Sequence, residues 1–306
     1  MRRPLPRLLL SLAFILAIAI AAPAQEHFRG DRAYDYAREF VAIGPRWCLG
    51  PGHAKAEAFL RAQFRHDNLE EDAFTANTVI GPVPMRNFIV RFPGRKNGII
   101  VLATHYETNY PLRNISFVGA NDGGSTTGLL IEMANELRAR MTGGKLEGES
   151  VWLVFFDGEE AFQSWQGDDH TYGSRHLAAK WAQDGTLPRI RAFLLTDMLG
   201  DKDLDVMQDT TSTQWLSDLV GQAARITGYG RYFYKQQGAE GDDHDPFLER
   251  GVPSVDIIDS DYGPHTMAMP DGYHHTAQDT MDKISPHSLT IAGDVLLESI
   301  HLLNQR

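Results

Sequence analysis

Five short stretches carry side chains able to do chemistry: His105 in ATHYET, Asp122 in GANDGG, Glu159-Glu160 in FFDGEEAF, Asp197 in LLTDMLG and His275 in YHHTAQDTMDKI. One or two imidazoles mixed with several carboxylates form a donor set that Zn2+ accepts when one coordination position must stay open. The lack of thiolates argues against a structural zinc site. Taken singly, each residue has a plainer reading. Asp122 lies just ahead of a helical pattern and could be an N-cap, and the glutamate pair could be two solvated loop acids. What raises all five is that each follows a strand-like run or precedes a helix within one chain. Adjacent side chains leaving a strand point in different directions, so one of the two glutamates can bind metal while the other faces a substrate. The metal-free neighbour, crowded by other acids, has its proton affinity raised by like charge, which suits a proton shuttle.

The elements that must position these residues alternate. Strand-like apolar runs cover Phe88–Phe92, Ile99–Thr104, Val151–Phe156, Ala192–Thr196 and Ser254–Ile258. Helical spacing puts Leu129, Leu130, Met133, Ala134 and Leu137 on one face, with Gly143-Gly144 as a stop. Two further helices are expected over Trp215–Ile226 and Leu289–Leu303. Such alternation predicts an α/β fold: one domain, with a mostly parallel central sheet flanked by helices on both faces. Folds of this kind bind ligands at the carboxyl ends of their strands, and the acid- and His-bearing stretches come directly after such runs. No repeat or composition break after residue 25 suggests a second domain.

The amino terminus reads as an export signal. Arg2, Arg3 and Arg7 precede an apolar run from Leu8 to Ala22 that ends in Ala22-Pro23-Ala24. We therefore expect a signal peptide over residues 1–24, a catalytic domain over 25–306 beginning at Gln25, and a periplasmic or secreted location. The apolar run is slightly short for a membrane anchor, and nothing after it is long and apolar enough to span. The signal holds three arginines and no acid, so its loss takes the formal charge from −11 to −14. Nucleic acid is excluded as a partner on that charge, and a monomer is expected. Cys48 is the single cysteine, so no intramolecular disulfide exists; we read it as a small buried hydrophobe rather than a nucleophile.

The order and approximate spacing of GANDGG, DGEEAF, LLTDMLG and YHHTAQDT resemble the zinc aminopeptidase (M28-like) superfamily. More specifically, DGEEAFQSWQGDDHTYGSRHLAAKW and DDHDPFLERGVPSVDII are similar to the matching blocks of glutaminyl-peptide cyclotransferases, over a resemblance running from about residue 30 to the carboxyl end. It implies one Zn2+ held by Asp122, Glu160 and His275, with Glu159 as general acid/base. It also implies an acid network of Asp197 and Asp242 around the leaving group, and a substrate pocket bounded by Trp165 and His274. His105 and Asp197 match second-metal ligands of di-zinc relatives. The implied reaction closes an amino-terminal Gln of a peptide or protein to pyroglutamate with loss of ammonia. A zinc aminopeptidase is the alternative, and an inactive peptide-binding module a remoter one. Departures are the disulfide that animal members carry, His274 where they have Trp, and a longer segment over Asp259–Tyr273.

Overall fold

The near-continuous apolar runs become the centre of the sheet, because strands covered on both faces need no polar side. In the computed structural model, which describes residues 27–267 and 269–306, these are β3 (Ile99–His105), β4 (Ser150–Phe156), β5 (Ile190–Asp197) and β8 (Ser254–Ile258). They pair in parallel in the order β4-β3-β5-β8. Around them lie β1 (Asn68–Thr78), β2 (Gly81–Phe92), β6 (Val206–Asp209) and β7 (Phe233–Gly238), completing an eight-stranded sheet ordered β1-β2-β4-β3-β5-β8-β6-β7. The sheet is mixed, since β1/β2, β2/β4 and β6/β8 run antiparallel. The β1–β2 hairpin turns at Gly81 with φ +109, where the Thr78 hydroxyl donates to the Gly81 carbonyl.

Side chains alternate between two cores, as the period of two requires. Val151, Leu153 and Phe155 of β4 point into one core with Ile100, Leu102, Ala192 and Leu194. That core is covered by residues of α1 (Gly30–Val41), α2 (Pro51–Gln63), α3 (Thr126–Arg140), α5 (Gln214–Ile226) and α7 (Pro286–Asn304). Trp152, Val154 and Phe156 point the other way, with Val101, Phe193 and Leu195, under α4 (Tyr172–Gln183) and α6 (Asp245–Leu248). The expected single α/β domain with helices on both faces is therefore observed. The carboxyl-terminal helix starts with Pro286 in its first turn and is capped by Ser285, whose hydroxyl accepts from the His287 and Ser288 amides.

Among the described residues no helix is long and apolar enough to cross a membrane. The expected signal peptide and Gln25 lie outside the described residues.

Leu102 is fully buried at the middle of β3. Leu102→Ala should cost about 2–5 kcal/mol of stability through the cavity it leaves, read as a lower urea midpoint with unchanged secondary structure.

Candidate active site

Three of the central parallel strands deliver candidate residues directly at their carboxyl ends. β3 ends at His105 and β5 at Asp197; β4 turns through Asp157 and Gly158 (φ +66) into Glu159-Glu160. The connection after β7 brings in Asp242, and the long loop after β8 brings in His274 and His275. His275 takes φ +53, an uncommon conformation for a residue other than glycine and one that clusters at functional sites. Asp122 sits in a kink between β3 and α3, where Gly119 and Gly123 both have positive φ. A Cβ on Gly123 would come 2.9 Å from the His105 ring, so only glycine lets the loop pass so close. The N-cap reading of Asp122 fails. α3 begins at Thr126, and the Asp122 carboxylate instead faces His105 and His275.

The side chains meet around a cavity of about 440 Å3 whose lining includes Asp122, Glu159, Glu160, Asp197, Asp242, His274, His275 and the half-exposed Trp165. His275 Nε2 is 3.0 Å from Glu160 Oε1 and 3.4 Å from Asp122 Oδ2. His105 Nε2 lies 3.1 Å from Asp122 Oδ1 and 3.4 Å from Asp197 Oδ1, while its Nδ1 is 3.6 Å from Glu159 Oε2. His274 stacks beside His275, ring centres 3.9 Å apart, with Nε2 3.8 Å from Asp122 Oδ2. Donors held tetrahedrally by zinc stand roughly 3.3 Å from one another, so the spacings around His275 suit that ion. Asp122 Oδ2 is buried and lacks a hydrogen-bond partner, as an oxygen reserved for a cation would be. Asp122, His274 and His275 offer donors within 4.8 Å of one another, as do His105, Asp122 and Asp197. Glu160 joins through His275. The segment Asp259–Tyr273, residue 268 apart, contributes Ser260, His265 and Asp271 to the rim.

With this geometry in view, the sequence profile of peptidase family M28 matches residues 87–300, a span that holds all of these candidates. The chain belongs to peptidase family M28. Within M28 it is 30% identical over 265 residues to the glutaminyl-peptide cyclotransferase of Bos taurus, covering 76% of this chain and 72% of that protein. It is 32% identical over 198 residues to the Drosophila melanogaster protein of the same name, covering 58% of this chain and 56% of that one; the chain thus spans little more than half the length of the fly protein. The solved glutaminyl cyclase of an Acidobacteriales bacterium superposes with a TM-score of 0.89 at 60% identity, over 93% of this chain and 99% of that chain. This M28 member therefore falls in the glutaminyl-cyclase branch, as the sequence resemblance implied.

Burial dominates the electrostatics of the M28 site. It raises the Glu159 carboxyl well above its usual range, with the like charges of Asp242, Glu160 and Asp243 adding to it and His105 opposing. Burial and the charge of Asp197 push Asp242 up to about 7. For the imidazoles burial works downward but loses: Glu160 and Asp122 lift His275 to about 11, and Glu159, Asp122 and Asp197 hold His105 well above its ordinary value. His105 Nε2 thus lies between the carboxylates of Asp122 and Asp197.

Several supporting residues were not singled out in the sequence. Asn109 donates to Glu160 Oε2 at 2.7 Å, and Glu107 accepts from the Glu160 amide at 3.0 Å. Asp279 accepts from the amides of Asn121 and Asp122, and its Oδ1 also takes the Tyr262 hydroxyl. Asp279, Glu107 and Asp157 stood inside the quoted HTAQDT, ATHYET and FFDGEEAF stretches, without a role being read for them. Asp157, which opens the glutamate turn, is gripped by His53 Nε2 at 2.8 Å, by the Arg86 amide at 2.8 Å and by the Cys48 thiol at 3.3 Å. Cys48 is buried as expected, but it also donates a hydrogen bond; burial pushes its thiol up, away from nucleophilic character.

The His53–Asp157 pair has a pH signature. Burial alone would lower the His53 imidazole, but Asp157 overrides it and raises the group to about 9, against about 6.5 in an unfolded chain. Its stabilisation is complete below the unfolded value and is lost as pH rises through about 9. The urea midpoint of His53→Gln should therefore fall furthest below wild type in mildly acidic buffer, and the gap should narrow as pH is raised toward and past that point.

Proposed function

We propose that this chain is a zinc-dependent glutaminyl-peptide cyclotransferase that converts the amino-terminal Gln of peptides and proteins to pyroglutamate. The observation that carries the reading is the division of labour in the glutamate pair. Glu160 is held by Asn109 and His275, whereas Glu159 faces the cavity as a buried acid of raised proton affinity. The names of the relatives and of the similar solved structure point the same way.

The donor set of Asp122, Glu160 and His275 would hold the zinc ion, which when bound supplies Lewis-acid polarisation of the substrate's γ-carbonyl. The α-amine of the bound Gln attacks the carbonyl carbon of its own side-chain amide, Cδ. Glu159 takes a proton from that amine and delivers it to the departing nitrogen, so a C–N bond forms, a C–N bond breaks and ammonia leaves. Because nucleophile and electrophile share one residue, the site needs chiefly to hold the reactive rotamer and exclude water. Trp165 and His274 would wall the substrate, and Asp197 and Asp242 would receive the leaving group's N–H while keeping Glu159 basic. Removal of residues 1–24 and export complete the proposal.

The aminopeptidase alternative would use Glu159 to activate water on the same scaffold. Incubation with a Gln-peptide separates the two: loss of one ammonia with the chain intact is expected, and release of free Gln would overturn the cyclase reading. Glu159→Gln should retain zinc and fold while losing turnover on the order of a hundredfold to ten-thousandfold; near-normal kcat would remove Glu159 from the mechanism.

Metal analysis tests the ligand assignment. Asp122→Ala, Glu160→Ala and His275→Ala should each lose zinc during dialysis against a chelator, whereas His274→Ala should keep it. The reverse pattern for Glu160 and His274 would exchange their roles.

A further inference from the structure

Arg46 lies between α1 and α2, outside the residues that match the M28 profile, and its side chain is completely buried. Among the described residues, no carboxylate lies within hydrogen-bond distance of its guanidinium. The N–H groups go to main-chain carbonyls instead: Nε to Tyr106 at 3.0 Å, Nη1 to Val118 at 2.6 Å and to Gly44 at 3.4 Å, and Nη2 to Gly119 at 3.0 Å. Its own amide donates to Thr108 Oγ1 at 2.8 Å. Two segments are thereby tied to one side chain. The first runs from His105 to Asn109, whose amide holds Glu160; the second opens the loop that carries Asp122. Gly119 at φ +50 is where that loop reverses, and a Cβ there would stand 3.2 Å from Nη2.

A buried cation without an ion-pair partner is costly. Burial pulls this guanidinium down to about 10, so it stays charged at neutral pH, and the fields of Asp122, Asp279 and Glu107 oppose the fall. A residue needed only to fill space beside Phe40 would carry no charge. The planar fork of arginine is what can reach carbonyls of both segments at fixed angles.

We propose that Arg46 is a positioning residue of the metal centre, its guanidinium setting the distance between the His105–Asn109 segment and the Asp122 loop. This rests on the assignment of Asp122 as a zinc ligand. Outer groups that orient metal ligands typically contribute 10–100-fold in metal affinity. Lysine presents a point charge in place of the fork and glutamine presents neither the charge nor the reach, so a graded loss is expected.

Arg46→Lys and Arg46→Gln should be compared with wild type and with Leu102→Ala, a destabilised control whose side chain makes none of the hydrogen bonds that hold the loop. Zinc affinity is measured by competition with a chromophoric chelator, and coordination by the visible spectrum of the Co2+-substituted proteins. Both Arg46 variants should fold, bind zinc on the order of 10–100-fold more weakly and show an altered Co2+ spectrum, with lysine the milder. Their kcat for a Gln-peptide should fall with little change in KM, while Leu102→Ala binds zinc as wild type does. Unchanged affinity and spectrum in folded Arg46 variants would overturn the proposal. So would failure of both variants to fold, or an affinity loss matched by Leu102→Ala, since each makes Arg46 a general structural residue. Wild type that takes up no zinc would instead overturn the metal reading beneath it.

Discussion

Seven carboxylates, those of Glu107, Asp122, Glu159, Glu160, Asp242, Asp243 and Asp279, are buried together at one end of the sheet. Ionised acids out of water cost several kcal/mol each unless something neutralises them. The nearby compensation is sparse: His105 and His275 among the acids, and Arg46 behind the Asp122 loop. The rest of the site follows from this imbalance. On the reading proposed above, a cation would sit among Asp122, Glu160 and His275, and protons would be retained where it cannot reach. Those two demands are also the needs of a metal-assisted proton transfer, so the instability of the cluster and its chemistry have one cause.

The fold can hold such a cluster because its central strands are parallel. β4, β3, β5 and β8 all deliver their carboxyl ends to the same edge, so acids distant in sequence arrive side by side without any local sequence signal pairing them. The two apolar layers behind that edge make the strand ends rigid, and hydrogen bonds from main-chain amides finish the placement. Asp279 fixes the Asp122 loop from the amide side, Arg46 from the carbonyl side, and Asp157 fixes the turn into the glutamate pair. Loops without regular structure are thus pinned at both polar faces of their backbone.

The parts of this arrangement that were legible in the sequence are those with strong local patterns. Val151–Phe156 and Ile99–Thr104 are continuous apolar runs, and both became central strands, with β3 extended by His105. β1 was not legible: NLEEDAFTANT alternates weakly and is largely exposed at the sheet edge, and polar β7 and four-residue β6 give no better signal. The hairpin and the antiparallel flank were missed for that reason. Among the candidate site residues, Asp122, Glu159, Glu160 and His275 stood out because their motifs combine glycines with acids or imidazoles after strands. Asn109, Glu107 and Arg46 did not, because each acts on a partner more than fifty residues away, through contacts that only the closed topology creates.

The central claim is that the carboxylate cluster is organised around one zinc ion held by Asp122, Glu160 and His275. Crystals of the purified protein, measured at and just below the zinc absorption edge, test it directly. The account predicts a single anomalous peak per chain within bonding distance of those three side chains, with His274 outside it. A peak bound instead between His105 and Asp197, two peaks of equal strength, or none after zinc loading would contradict it.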